Sequence, residues 1–171
     1  MAGSLIKIAE TTVSSATASV DLTGIDSTYD VYMVSFNNAL PSVDSQLSAR
    51  VLESGTANST ANYDYAAKNL STSGFENKSG TNGTSWSQLT TTQDNAVGNA
   101  NGVFYLYNFN NSSEYSFLTY EEAHIQASSN TLRGVQGGGV FTSNSSCNGI
   151  RIFFLSGNIV SGTFTLYGLK K

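Results

Sequence analysis

Short stretches in which apolar and polar residues alternate, each cut off by Gly, Asn, Asp or Ser, run the length of this sequence. A period of two sends successive side chains to opposite faces of a strand, so each stretch reads as a half-buried β-strand. Residues 29–36 (Tyr-Asp-Val-Tyr-Met-Val-Ser-Phe) are strongly β and are stopped by Asn37-Asn38 and Pro41. Residues 19–22, 46–52, 63–70, 86–90, 103–109, 115–125, 149–155 and 163–169 read as further strands. Asn82-Gly83 is a favoured tight-turn pair inside residues 71–84, the most loop-like stretch. The glycine-dense run 134–139 suits a tight turn or a close backbone approach at a strand junction.

About nine or ten short strands at this spacing, with no helical period, predict an all-β, single-domain antiparallel β-sandwich of jelly-roll type. Residues 1–10 are expected to form an N-terminal arm and residues 11–171 the sandwich. Composition supports this class. Only 12% of the 171 residues are charged, 11% are aromatic and there is one Pro. Ser, Thr and Asn fill roughly a third of the positions, well above ordinary usage. A helical bundle would need far more Ala, Glu, Lys and Leu at 3.6-residue spacing, and a disordered chain would lack the aromatics. No run of about 20 apolar residues is present to form a membrane-spanning helix. The N-terminus shows no long apolar stretch of a secretory signal.

Eight basic and twelve acidic residues leave a net charge of -4, with no basic cluster. Such a surface repels polyanions, so neither nucleic acid nor an anionic membrane is an expected partner. The single cysteine, Cys147, cannot form an intramolecular disulfide and reads as a buried small residue.

No residue set points to catalysis, and no cofactor or metal is expected. His124 is the only histidine, no Gly-x-Ser-x-Gly elbow occurs, and His124 reads as a strand-end surface residue. Glu121 and Glu122 are adjacent, so on a strand they face opposite ways and cannot act as a glycosidase pair. Asp21, Asp26 and Asp30 bracket a turn without the spacing of a calcium loop, and turn capping explains them better. The glycine run lacks the Lys-Ser/Thr of a phosphate loop. Trp86, near Asn82, could stack on a sugar ring, although a core or inter-subunit Trp is the more ordinary reading.

Residues 24–32, 108–117 and 156–170 carry a resemblance. The most specific part is the closing stretch, with Ser156-Gly157-Asn158-Ile159 followed by Gly162-Thr163-Phe164-Thr165-Leu166-Tyr167-Gly168. The chain resembles short virion structural proteins of tailed bacteriophages of aquatic and marine bacteria, over nearly its whole length. The resemblance implies a virion part and carries no catalytic or binding residue. Two expectations follow. One is a cement or decoration protein on the outer capsid surface, a homo-oligomer (trimer favoured) that contacts the major capsid protein or other virion proteins. The other is a head- or tail-fibre adhesin that binds host glycan. The short chain favours the first. The expected contact regions are residues 1–10, 71–85 and 94–101, with Leu5, Ile6, Trp86, Asn82, Tyr63 and Tyr65 as candidate interface or glycan-contact residues.

Overall fold

The computed structural model describes residues 4–72, 74–92, 99–126 and 130–170, and of residues 88 and 90–92 the backbone alone. Among the described residues every regular element is a strand. In chain order they are β1 (Ser4–Val13), β2 (Val20–Thr23), β3 (Val31–Pro41), β4 (Ser45–Glu53), β5 (Thr56–Ala57), β6 (Tyr63–Ser71), β7 (Gly74–Gly83), β8 (Trp86–Thr92), β9 (Ala100–Tyr107), β10 (Ser116–Gln126), β11 (Thr131–Phe141), β12 (Gly149–Phe154) and β13 (Ile159–Lys170).

All pairings are antiparallel. Eight strands form one broad layer in the order β1-β13-β3-β9-β10-β11-β6-β7. A second layer runs β8-β4-β12-β2, with β5 beside β4. One residue pair, Gln126 with Thr92, joins the two at a corner. The chain is therefore a single all-β, sandwich-like domain. Consecutive strands β9, β10 and β11 lie side by side in the large layer, whereas a jelly roll sends consecutive strands to alternate sheets.

Register explains the core. Val34, Phe104 and Tyr120 stand in one row across β3, β9 and β10, and Tyr32, Leu106 and Leu118 in the next. All six are buried. They face Leu47, Ala49 and Val51 of β4 and Ile150, Ile152 and Phe154 of β12, which are register partners and equally buried. Side chains of both layers belong to one apolar cluster, as two stacked sheets require. Tyr63 ties them polar to polar. It rises from β6, accepts the Val51 backbone N–H at 3.2 Å and donates to the Asn58 carbonyl at 2.7 Å.

Thirteen strands replace the expected nine or ten, and β1, β5, β7 and β11 account for the difference. Residues 4–10 of the expected arm are the start of β1, paired with β13. The stretch expected to be loop holds β7, paired along its length with β6. Asn82 does take the left-handed conformation of a turn residue, with φ 54°. It sits at a bulge between β6 and β7 rather than at a hairpin tip, because the ladder jumps from Tyr63–Gly83 to Tyr65–Gly80. The run 134–139 lies within β11, not in a turn, and the close approach is real. A Cβ at Gly139 would sit 2.6 Å from the Trp86 ring, and one at Gly137 would sit 2.6 Å from the Tyr120 hydroxyl.

Candidate interaction surface

Strands buried on one face only leave the other to solvent or to a partner, and the outer face of the eight-stranded layer is unusually apolar for an open one. Tyr167, Met33, Tyr105, Thr119, Gly138 and Ala66 form one register row from β13 to β6. Val31, Tyr107, Phe117 and Val140 form the adjacent row. Neither row carries a charge over these strands. Phe117 is 43% exposed, and Val31, Tyr105, Tyr107, Val140 and Tyr167 are half-buried by one another. Second-layer strands cannot cover these residues, because they pack on the opposite face.

Charges frame the two rows. Lys7 ends the first row on β1, and Asp64 ends the second on β6. A third row holds Glu10 on β1, Glu121 on β10 and Lys68 on β6. Lys7 Nζ lies 3.3 Å from Glu10 Oε1. That contact and the Thr165 hydroxyl at 3.1 Å hold the Glu10 carboxyl below its usual range. An open groove of about 550 Å³ runs over Gly138 between Phe117 and Asp64. A separate apolar patch lies on the same face near the ends of β6, β7 and β11, where Phe75 is 73% exposed beside Leu70 and Leu132.

The candidate contact residues separate into two groups. Leu5 and Ile6 are exposed, at 49% and 39%, on β1. Leu5 shares the outer face with its partner Leu169, and Ile6 lines a cleft with Tyr29 and Asp30. Asn82 is exposed and donates its backbone N–H to Asp64 Oδ1 at 2.7 Å. Trp86 and Tyr63, by contrast, have no solvent exposure. Their rings meet edge-on at 5.1 Å, and Trp86 Nε1 donates to the Val140 carbonyl at 3.2 Å. A sugar ring therefore cannot stack on either, which removes both as glycan-contact candidates and makes Trp86 the core tryptophan of the more ordinary reading. Tyr65 is partly buried and packs against the core with its ring over Gly80. Of the expected contact loop 94–101, residues 94–98 lie outside the described residues.

His124 is also corrected. It is buried, not superficial, because residues 116, 118, 120, 122 and 124 of β10 all point inward. Its Nδ1 lies 2.9 and 3.0 Å from the two carboxylate oxygens of Glu122. Glu121 takes the opposite face, as adjacency requires, and accepts from Gln136 Nε2 at 2.9 Å. Asp21 forms a forked ion pair with Arg151, both bonds 2.7 Å, across β2 and β12. Asp26 caps the Thr28 N–H at 2.8 Å. Cys147 is fully buried, and burial pushes its thiol pKa up. Among the described residues no three His, Cys, Asp or Glu side chains converge as a metal site would need.

The outer-face rows are built by cross-strand register, which the alternation of a single strand does not display. The signal was there: the run Tyr29-Asp30-Val31-Tyr32-Met33-Val34 carries apolar residues on both faces. No protein-family model, curated protein or solved structure matches this chain.

Proposed function

We propose that this chain is a structural protein of a tailed-bacteriophage virion, a cement or decoration protein on the outside of the capsid. The observation that carries the reading is the uncovered apolar outer face of the eight-stranded layer. Such a face costs solubility unless another protein covers it, and burying it stabilises whatever assembly it joins. The patch at Phe75, Leu70 and Leu132 supplies a second contact area. The resemblance of residues 24–32, 108–117 and 156–170 to short phage virion proteins points the same way, as does the acidic surface, which suits the outside of a DNA-filled shell.

A head- or tail-fibre adhesin is the alternative. The groove over Gly138 favours it, because Phe117 offers an aromatic face and Asp64 a carboxylate to a sugar.

Removing the protein from the particle tests both. Particles that assemble but lose thermal or osmotic stability support the cement reading, with hundreds of copies per intact particle. Unchanged particle stability with lost host adsorption supports the adhesin.

A further inference from the structure

We propose that the outer face of the eight-stranded layer binds a second copy of this chain, face to face, about a two-fold axis lying along β9. The inference rests on the reading of that face as a contact surface and names its occupant.

The edges of the layer exclude the simpler route. β1 is interrupted by a bulge at Ile8 and carries Lys7 and Glu10, while β7 carries Glu76 and Lys78 and is irregular opposite Asp64. Charges and bulges on edge strands block strand-to-strand addition. Across the middle strands the first two rows carry no charge, and Glu121 stands in the third.

The charge layout selects the symmetry. β1 lies three strands from β9 on one side and β6 three strands away on the other. A two-fold along β9 therefore lays β1 of one copy over β6 of its partner, twice. Glu10 and Lys68 occupy the same register row, so each meets the other across the interface. Lys7 falls on Ala66, one row from Asp64 on one side and one row from Lys68 on the other. Glu121 falls opposite Ser35, and no like charges coincide. Tyr105 and Tyr107 lie on the axis and pack against their own copies. Every contact repeats in reverse, as an isologous interface requires. The face from β1 to β6, three rows deep, projects to about 600 Å² from strand and row spacings, near the roughly 800 Å² per partner of a stable interface. This layout favours a two-fold contact over the three-fold assembly expected from the sequence.

Sedimentation or light scattering of the full chain reads the result. The expected mass is twice the 18.1 kDa of one chain. Glu10→Lys and Lys68→Glu should each weaken the dimer about tenfold or more, and the double charge swap should restore it. Phe117→Glu should give a monomer with an unchanged circular dichroism spectrum. A monomer at about 100 μM, a trimer, or single swaps without effect would overturn the proposal, as would a double swap that fails to rescue. A chain that is monomeric in solution yet present on particles defeats this inference and leaves the shell reading standing. A dimer absent from particles does the reverse.

Discussion

His124 Nδ1 sits 2.9 Å from Glu122 Oε2, two residues back on β10, and both side chains are out of solvent. Residues two apart on a strand share a face, so the pair is local in sequence but interior in the fold. Removing one member of a buried hydrogen-bonded pair costs about 1–3 kcal/mol, whereas replacing both with apolar groups of the same shape is nearly neutral. His124→Ala should therefore lower the melting temperature by roughly 5 °C. Replacing both Glu122 and His124 with apolar residues of similar volume should recover most of the loss. Equal losses in the single and double variants would show that the pair does not act as a unit.

Trp86 is the sole tryptophan and has no exposure, so it reports the core directly. Native emission should be blue-shifted and resistant to iodide, and should shift red only with global unfolding. Gly139→Ala would place a methyl 2.6 Å from the Trp86 ring and 3.0 Å from the Asp64 backbone carbonyl. Overpacking of that kind costs about 1–3 kcal/mol. Denaturant titration followed by the same fluorescence should show the reduced midpoint.

Alternation made the fold class and nine of the strands legible, from the segment around Tyr29–Phe36 to the closing run at Thr163–Leu169. The missed strands each have a physical reason. β7 holds no alternating apolar set, because it is an edge whose inward Glu76 and Lys78 extend past the cover of the second layer and stay substantially exposed. β11 is glycine-rich because Trp86 and Tyr120 occupy the space its side chains would fill. β1 alternates, but the bulge at Ile8 breaks its phase midway. A core position for Trp86 was legible from its type, but not the space that holds it, since that depends on Gly139, far away in the chain. Apolar residues on both faces of Tyr29–Val34 were legible, but which residues share an outer row was not: Tyr167, Met33 and Tyr105 become neighbours only through cross-strand register.

Cys147 should behave as an inert core residue. Its sulfur lies 3.8 Å from Ser116 Oγ and 3.7 Å from the Ser145 carbonyl, and burial raises its thiol pKa. Only the thiolate reacts, so a thiol reagent should label the native protein at the rate of unfolding. Fast labelling under native conditions would show that the site opens locally.

Stability should fall at both ends of the pH range, for opposite reasons. The Thr28 backbone N–H, then the Tyr32 hydroxyl, hold the Asp26 carboxyl below its ordinary 3.8. Lys7 and Lys78 hold Glu10 and Glu76 below 4.5. For such groups the unfolded chain binds protons first, so their contribution is present above the ordinary values and is lost as pH falls through the folded ones. Asp26→Asn should make the acid limb of the melting curve shallower. Tyr32, Tyr63 and Tyr120 are raised above 10.0, mainly by burial. There the unfolded chain loses protons first, so stability is intact below 10 and declines as pH rises through the folded values. Absorbance titration should therefore show three of the nine tyrosines ionising late and together with unfolding. Nine independent titrations near pH 10 would contradict the burial of Tyr63 against β4.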